Sequence, residues 1–453
     1  MEPVEPQTES EVAARESQPD GGAPSSAAPG GLERRKRSRT WETPPAPVPP
    51  PRLDDYKTIV GGADLDELKF LAQDLKGKTV KMVNSTAVGG GVAEMLNQLV
   101  PLLNEVEVKT HWEVITGGND FFEVTKAFHN ALQGSDYNLT PQARDIFLMH
   151  NEQNRQRIEF SEDVIVIHDP QPAGLIRDRQ PSRRWVWRCH IDLSNPNPDV
   201  WGFLRPFIEQ YDAAIFSSQS FTRQLPIPQY LFFPCIDPLS EKNKDLEDSF
   251  VQQVCDEFGI DRSRPIVTQV SRFDRAKDPV GVIQAFKQAR KYVDCQLVMA
   301  GGGATDDPEG AAVLKEVKEA AGEDPDIIIL DLPPWCALEI NALQRASTLV
   351  VQKSIREGFG LTVTEALWKG KPTIAGAVGG IPNQIIHKLT GMLVHSVEGC
   401  AYQMRYLLTH PDFAKQLGQN GHEHVKENFL MTTNVRRWLL LCRILLAGGS
   451  KST

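Results

Sequence analysis

The sequence predicts an α/β protein made of two Rossmann-like, doubly wound domains that face each other across a cleft, after a disordered N-terminal tail. Three observations lead to this prediction. Short apolar runs alternate with helical patterns in two series, glycine-rich turns follow several of these runs, and the first 52 residues hold 11 of the 32 prolines. Strand–helix alternation on this scale is typical of parallel sheets built from strand–helix–strand units.

Composition sets limits on the protein class. A chain of 453 residues suits two domains, and 40% hydrophobic residues are enough to form two cores. The net charge of −10 argues against nucleic-acid binding, which requires a basic face. Seven scattered cysteines without a C-x-x-C pair are typical of reduced thiols in a cytoplasmic protein. No apolar stretch approaches the roughly 18 residues of a membrane span, and no secretory signal is recognisable.

Residues 1–52 form the predicted tail. They are rich in Pro, Ser, Ala and Gly and poor in large apolar side chains. Such a segment buries too little apolar surface to offset the entropy lost on ordering, so it is predicted to be disordered. Its basic run ERRKRSRT, residues 33–40, is interpreted as a solvated linker, with an address signal or an anionic docking patch as the alternative.

The first predicted domain spans residues 53–240. KTVKMVNST predicts its first strand, and VGGGVAEMLNQLVPLL predicts a glycine turn that leads into an amphipathic helix. DVIVIHDP is a continuous apolar run, as expected of a strand buried on both faces. The predicted strands lie at 78–86, 111–117, 163–170, 183–192 and 212–218, and helices at 120–134, 140–159 and 198–210.

The second predicted domain spans residues 241–429. The polar stretch 237–264 is expected to cross between the domains, and an apolar helix within residues 430–447 is expected to pack back on the first. Its predicted strands lie at 265–273, 295–303, 326–332, 347–354 and 371–377.

Ligands of open α/β sheets bind beyond the carboxyl ends of the strands, so the residues at these ends are the candidate site. One candidate is the run Gly89-Gly90-Gly91, where bare backbone lets a phosphate or sugar approach the amides that begin a helix. It is not the dinucleotide fingerprint, because Glu94 occupies the third glycine position. The alternative is a plain tight turn.

The loop SRFDRAKDP carries Arg272 and Lys277, five residues apart. Both cations can reach one diphosphate, the arginine in a bidentate manner. The alternative is a solvated basic pair. The glycines 301–303 follow another strand of the same series.

Glu357 and Glu365 stand on either side of the amides that begin a predicted helix. These amides suit a phosphate or sugar hydroxyls, and the carboxylates suit hydroxyl groups as acceptors. The alternative is a helix N-terminal charge and an exposed glutamate. His168 ends a buried strand, where a core role is the alternative. The Asp-x-Asp pairs at residues 64–66 and 324–326 lack further ligands, so no metal site is predicted.

The order of these motifs resembles the retaining glycosyltransferases of family 4, which have the GT-B architecture. Within that family, six segments are similar to the trehalose synthases of the glycosyltransferring type and to the related trehalose phosphorylases. They are GGGVAEML, FFEVTKAFHNALQG, HDPQPAGLI, RRWVWRCHIDLSNPNPDVWGFLRP, QVSRFDRAKDPVGVI and QKSIREGFGLTVTEALWKGKPTIAGAVGGIP. The resemblance covers residues 53–445.

The resemblance implies reversible transfer of glucose from a nucleoside diphosphate glucose to the anomeric hydroxyl of glucose. The product would be α,α-trehalose, with the donor configuration retained. The implied partners are the donor, glucose and trehalose, with no nucleic acid and no membrane. The sequence requires no cofactor, although Mg²⁺ with the diphosphate and a homodimer are left open. Phosphorolysis of trehalose and non-catalytic sugar binding are the alternatives.

The resemblance also implies roles for individual residues. The catalytic set is His168, Arg272, Lys277 and Glu357, in which the two cations hold the diphosphate, His168 meets the 6-hydroxyl side of the donor, and Glu357 meets C3 and C4. The donor site further includes Gly90, Gly91, Gly358, Phe359, Gly360, Leu361 and, for the ribose, Glu365. Arg188, His190 and Asp192 are the implied acceptor contacts. The segments 300–310 and 330–338 depart from the family pattern, which leaves the nucleotide base open among adenine, uracil and guanine.

Overall fold

A computed structural model describes residues 49–87, 91–302 and 308–447. The predictions made for residues 1–48, including the basic run, lie outside the described residues, as do those for Gly89, Gly90 and Gly303.

Two six-stranded sheets form the framework, and every pairing between their strands is parallel. The first sheet contains β1 (Thr79–Asn84), β2 (Lys109–Val114), β3 (Val164–His168), β4 (Arg184–Arg188), β5 (Ala213–Phe216) and β6 (Gln229–Leu231). The second contains β7 (Ile266–Val270), β8 (Gln296–Gly301), β9 (Ile327–Asp331), β10 (Leu349–Gln352), β11 (Thr373–Gly376) and β12 (Met392–Val394). Two doubly wound sheets are the predicted fold class, which is confirmed.

Helices connect the strands of each sheet. Those that precede β7 are α1 (Lys57–Val60), α2 (Gly62–Gln73), α3 (Gly91–Glu105), α4 (Asn119–Leu132), α5 (Pro141–Arg157), α6 (Pro198–Ile208) and α7 (Asp248–Phe258). Those that follow are α8 (Pro279–Ala289), α9 (Pro308–Ala321), α10 (Ala337–Ala346), α11 (Leu361–Trp368), α12 (Val397–Thr409), α13 (Pro411–Asn428) and α14 (Met431–Ala447). Short 3₁₀ helices lie at Leu53–Tyr56, Ala173–Asp178, Gln219–Phe221, Arg275–Lys277 and Ile381–Asn383. No helix in the described part of the chain is long and apolar enough to cross a membrane.

The strand order creates one switch point in each sheet. The first sheet runs β2-β1-β3-β4-β5-β6, so the chain reverses its direction of growth between β1 and β3. The second runs β12-β11-β10-β7-β8-β9, and its reversal lies between β7 and β10. Connections that diverge on either side of a switch point leave a crevice at the carboxyl ends of the two strands. Loops after β1, β3, β7 and β10 are therefore the structural candidates for a binding site.

The central strand β3 shows why these sheets form. Its five residues are all fully or almost fully buried. Ile165 and Ile167 join one hydrophobic cluster, and Val164 and Val166 join the cluster on the opposite face. Alternate side chains of a strand point to opposite faces, so an uninterrupted apolar run satisfies both layers of helices.

The C-terminal helix α14 packs on the first sheet's side of the molecule, against α2 and α3. Trp438 is 1% exposed and meets the Phe232 ring edge to face at 5.3 Å. Two ion pairs join α14 to α2: Arg436 with Glu67 at 2.9 Å and Arg443 with Asp74 at 2.5 Å. Because these pairs are largely exposed, most of the docking free energy comes from the apolar contacts.

Replacing Trp438 with alanine is expected to lower the free energy of unfolding by about 3–5 kcal/mol, because it removes a buried aromatic side chain and leaves a cavity. Leu440→Ala on the same helix is the control, since Leu440 is 42% exposed and should cost less than about 1 kcal/mol. Urea unfolding followed by circular dichroism measures both. Equal losses for the two variants would show that α14 is not docked through Trp438.

Candidate active site

A cavity of about 730 Å³ lies where the carboxyl ends of the two sheets meet. Asn84, which ends β1, and His190, which follows β4, line it from the first sheet, while Lys277 and Glu357 line it from the second. Lys242, from the segment that connects the sheets, also lies in the wall. The cavity therefore occupies the crevice that the strand order predicts, with side chains from both halves facing the same space.

Lys277 is held by the loop after β7. It ends the 3₁₀ helix Arg275–Lys277, and its backbone carbonyl accepts a hydrogen bond from the side-chain amide of Gln269 at 3.0 Å. The next residue, Asp278, has a left-handed backbone with φ of 50° and accepts from the Gly281 amide at 3.1 Å, which caps α8. Lys353 forms an ion pair with this aspartate. These contacts fix the backbone from which the Lys277 side chain reaches the cavity.

Lys277 and Glu357 form an ion pair in the cavity wall. The Lys277 Nζ lies 2.5 Å from the Glu357 Oε2, and the Ser354 hydroxyl donates to the same oxygen at 3.3 Å. The two loops are tied together by the Ile355 amide, which donates to the Ala276 carbonyl at 2.8 Å. The side chains are 18% and 9% exposed. Loss of either charge would leave the other poorly hydrated and unpaired, so each determines where the other lies.

The turn after Glu357 leads into α11 and opens its amides to the cavity. Residues 358–362 line the wall, and a Cβ at Gly358 would meet no atom within 4 Å. Gly360, at φ of 83°, has the left-handed backbone that favours glycine, and a Cβ there would lie 3.1 Å from the Glu357 Cγ. The first amides of a helix lack intrahelical acceptors. The turn thus presents unused donors beside a carboxylate, an arrangement that suits a sugar or a phosphate.

Glu365 lies in the wall one turn further along α11 and is 6% exposed. Beneath it, the Lys369 amine donates to the Asn243 side chain at 3.0 Å and to the Glu365 carbonyl at 3.2 Å. Burial lowers the pKa of Lys369 to about 7, although the Glu365 carboxylate opposes this shift. Lys242 binds both oxygens of Glu94 at 3.0 Å. Burial alone would lower the Lys242 pKa, but the Glu94 and Glu365 carboxylates outweigh it and raise the pKa.

Arg272 also lines the cavity, at its rim. Its side chain is 67% exposed and lies 3.5 Å from an Asp274 oxygen. A guanidinium in this position is free to turn toward an anion that enters the cavity. Among the remaining donor residues predicted from the sequence, Gly91 lies in the wall at the start of α3.

His190 and Asp169 form the opposite wall. The His190 amide donates to the Asp169 Oδ1 at 2.7 Å, and Asp169 has a left-handed backbone with φ of 64°. Burial raises the pKa of Asp169 to about 6, against the effects of this hydrogen bond and of the Arg188 charge. The carboxylate is therefore mostly ionised at pH 7 and can accept a sugar hydroxyl.

The His190 ring is paired with His168. The His168 Nδ1 and the His190 Nε2 are 2.9 Å apart, and the rings are parallel within 11°. Burial and the Arg188 charge lower the pKa of His168 to about 3, and the same causes, together with His168, lower that of His190. Both rings are neutral at pH 7. The His168 Nε2 is buried without a hydrogen-bond partner among the described residues.

One arrangement of protons leaves no buried N–H without an acceptor. His168 carries its proton on Nδ1 and donates to the His190 Nε2, so that the partnerless His168 nitrogen is a lone pair. His190 then carries its proton on Nδ1, which is available to a ligand in the cavity. His190 is thus a neutral hydrogen-bond donor whose tautomer His168 fixes.

Three residues to which the family resemblance gives contacts with the sugars are not among the described residues of the cavity wall. His168 is 0% exposed and is not among the wall residues, whereas His190, the residue with which its ring is paired, lies in the wall. Arg188 also lies outside the wall, since its guanidinium donates inward to the Ser217 hydroxyl at 3.1 Å and the Phe232 carbonyl at 2.8 Å. Asp192 is turned to its own loop, where it accepts from the Ser194 amide. Of the three expected acceptor contacts, His190 alone lies in the wall.

The histidine pair allows a comparison of two substitutions. His190→Ala removes a donor that faces the ligand and is expected to lower kcat/KM by about a hundredfold. His168→Ala acts only through His190, so a loss of about tenfold or less is expected. Steady-state rates, with thermal unfolding as a check on folding, measure both. A larger loss of kcat/KM in His168→Ala than in His190→Ala would contradict the placement of His190 as the histidine that faces the ligand.

Several wall residues carried no clear signal in the sequence. Lys242 belongs to the polar crossing segment, and Glu94 was noted only because it is not glycine. His129 lies on α4 and Gln133 caps its C-terminus, where helical spacing does not distinguish them from other polar positions. Gln171 was recognisable only as part of HDPQP, which begins with the last residue of β3. Within the described ranges, no group of three or more His, Cys, Asp or Glu side chains is arranged to hold a metal ion.

The two halves of the chain match different family models. Residues 82–223 match the model described as the trehalose synthase N-terminal domain, and residues 253–424 match glycosyl transferases group 1. The trehalose synthase of Thermococcus litoralis is 45% identical over 394 residues, covering 86% of this chain and 96% of that protein. The trehalose phosphorylase of Pleurotus pulmonarius is 30% identical over 461 residues, covering 88% of this chain and 61% of that protein.

A solved glycosyltransferase structure from Rickettsia africae has a TM-score of 0.66 to this chain at 18% identity, and the match covers 83% of this chain and 99% of that one. At this identity the likeness shows the fold alone. It agrees with the two facing doubly wound domains of the GT-B architecture.

Proposed function

Because the chain belongs to the trehalose synthase family of glycosyltransferases, we propose that it makes α,α-trehalose reversibly from a nucleoside diphosphate glucose and glucose. The observation that carries this proposal is the pairing of Lys277 with Glu357 at the switch point of the second sheet, beside the free amides of α11. A cation that suits a diphosphate, donors that suit oxygen atoms and an acceptor that suits sugar hydroxyls thus lie within one wall, which supports the proposal.

The donor is proposed to lie along the second sheet's side of the cavity. Lys277 and Arg272 bind the diphosphate, and the Glu365 carboxylate accepts from the ribose hydroxyls. Glu357 accepts from the glucose hydroxyls at C3 and C4, and the amides of residues 358–361 donate to the sugar and the leaving phosphate. When the donor binds, its phosphate replaces Glu357 as the principal partner of the Lys277 ammonium.

The acceptor glucose is proposed to lie against His190 and Asp169 on the facing wall. The His190 Nδ1–H donates to the donor's 6-hydroxyl side or to the incoming glucose, and the Asp169 carboxylate accepts from an acceptor hydroxyl. His168 contributes by fixing the His190 tautomer. The two sugars then meet between the walls, with the acceptor's anomeric hydroxyl directed at C1 of the donor.

Charge develops on both sides of the breaking bond. As the bond between C1 and the phosphate oxygen lengthens, negative charge grows on the phosphate and positive charge on C1. Lys277, Arg272 and the α11 amides stabilise the phosphate, and fixed donors of this kind cost no reorganisation at the moment of reaction. The departing phosphate takes the proton of the acceptor hydroxyl on the same face, which retains the configuration at C1. No protein nucleophile is required.

Mg²⁺ is proposed to be dispensable, because the protein supplies its own cations to the diphosphate. Where Mg²⁺ is present, it would be bound by the phosphate oxygens of the nucleotide, because Mg²⁺ is a hard cation that prefers oxygen ligands.

The proposal is tested by incubating the full chain with labelled glucose and, separately, with ADP-, UDP- and GDP-glucose. A labelled non-reducing disaccharide is expected with at least one donor, and comparison of the tubes identifies the base. A second set with trehalose and phosphate tests the phosphorylase alternative, which the relatives at 30% identity support more distantly. Release of glucose 1-phosphate without synthesis from any nucleotide donor would favour that alternative. Tight sugar binding without turnover in every tube would favour a non-catalytic sugar-binding protein.

A further inference from the structure

A second groove of about 600 Å³ continues from the active-site cavity along the first sheet's side. The two spaces share Ser85, Thr86, His129 and Gln171 as wall residues. All of the described residues that line this groove come from the half of the chain that faces the acceptor in the proposed reaction. A ligand that extends from the acceptor glucose would therefore enter it.

One stripe of α4 lines the groove along its length. Phe122, Thr125, Lys126 and His129 follow the i, i+3, i+4, i+7 spacing of a single helix face, and Gln133, one turn beyond, lines the active-site cavity. At 1.5 Å per residue, Phe122 and His129 are about 10.5 Å apart along the helix axis. This length exceeds that of a single sugar ring.

Phe122 gives the far end of the groove a flat apolar face. Its side chain is 38% exposed, and its ring is held at 65° to the buried Phe121 ring, with the centroids 5.4 Å apart. An edge-to-face contact is a favoured arrangement of two aromatic rings, and the exposed fraction of Phe122 leaves part of its ring accessible. A sugar ring combines an apolar C–H face with hydroxyl groups at its edge, so an oriented aromatic face beside polar groups suits it.

The polar groups are present at the junction with the active site. The Gln171 Oε1 is buried and has no hydrogen-bond partner among the described residues. Burial lowers the pKa of His129, so this wall residue is neutral at pH 7. Lys126 is the one Lys, Arg, Asp or Glu among the described residues of the groove, and it is exposed. The described wall has no arginine to bind a phosphate in a bidentate manner, so an uncharged ligand is favoured.

We propose that this groove is a second acceptor subsite, which binds the further sugar ring of a reducing disaccharide whose terminal glucose occupies the acceptor position. The proposal rests on the proposed function and extends it to larger acceptors. In the reaction, the bond between donor C1 and the phosphate oxygen breaks, and a bond forms between C1 and the anomeric oxygen of the disaccharide. The proton of that hydroxyl leaves with the nucleoside diphosphate, and the product is a non-reducing trisaccharide.

The test supplies the full-length protein with its best nucleotide donor and, in turn, glucose, maltose, isomaltose, cellobiose and maltitol. Trisaccharide is expected from at least one reducing disaccharide and none from maltitol, which lacks an anomeric hydroxyl. Phe122→Ala is expected to lower kcat/KM for that disaccharide by about tenfold while changing the value for glucose by less than about twofold. Asn130, which also lines the groove, offers a second variant, and Asn130→Ala should act in the same direction. Phe70→Ala, an exposed phenylalanine on α2, is the control and should change neither value.

The outcomes separate this proposal from the one on which it rests. Trehalose formation without any trisaccharide would overturn the subsite alone. An equal loss of kcat/KM for glucose and for the disaccharide in Phe122→Ala would also overturn the subsite, because the Phe122 ring would then act on the common acceptor site or on the fold. Failure to form a product from glucose with any donor would overturn both.

Discussion

Lys277→Ala is expected to lower kcat/KM for synthesis by about a hundredfold to a thousandfold, because it removes the most buried cation that faces the leaving phosphate. A hundredfold loss corresponds to about 3 kcal/mol of transition-state stabilisation. Lys315→Ala is the matched control, since that lysine lies on α9 with 80% of its side chain exposed. Initial rates at saturating glucose and varied donor measure both variants. A near-wild-type rate in Lys277→Ala would show that Lys277 does not stabilise the leaving phosphate.

Loss of folding must be separated from loss of chemistry in this variant. Removing Lys277 leaves Glu357 with 9% exposure and without its cation, so stability should fall by up to about 3 kcal/mol. The double variant Lys277→Ala with Glu357→Gln removes both charges and should regain much of this stability. Its activity should stay low. Recovery of activity together with stability would mean that the pair serves the fold.

Glu357→Gln is expected to lower kcat by about a hundredfold with little change in the KM for the donor. The carboxylate is a stronger acceptor of sugar hydroxyls than an amide, and these bonds hold the donor glucose in its reactive position. The freed Lys277 ammonium remains available to the diphosphate, so binding of the nucleotide part is preserved. Single-turnover rates and donor binding by calorimetry measure the two effects separately.

Glu398→Gln is a suitable control for the glutamate, because Glu398 lies on α12 away from the cavity wall. It should leave both constants unchanged within about twofold. A raised donor KM at unchanged kcat in Glu357→Gln would show that Glu357 binds the ground state and the transition state equally, in conflict with its proposed role.

The framework was largely predictable because the central strands are continuous apolar runs. Strands buried by helices on both faces, such as β3, carry a signal that does not depend on distant contacts. The edge strands β6 and β12 were not predicted, since each has three residues, too few to show a periodicity. Helices α1 and α2, which precede β1, were also not predicted, because the apolar pattern of their sequence is weak.

The site was predictable to the extent that it depends on strand ends. Lys277 and Glu357 follow the two switch-point strands β7 and β10, and the structure brings them into contact. The spacing of His168 and His190 in the sequence did not indicate which of the two lies in the cavity wall. That depends on how the loop after β4 packs against the end of β3. Arg188 illustrates the same limit, since its partner, the Phe232 carbonyl, is 44 residues away.

The most direct measurement follows ¹³C-labelled glucose by NMR during incubation with a nucleoside diphosphate α-glucose. Transfer between the two walls with retention predicts a single new anomeric carbon signal, that of α,α-linked trehalose, and release of nucleoside diphosphate in equal amount. A β-linked product would contradict transfer with retention between the two walls. Hydrolysis to free glucose, without a disaccharide from any donor, would contradict the transfer itself.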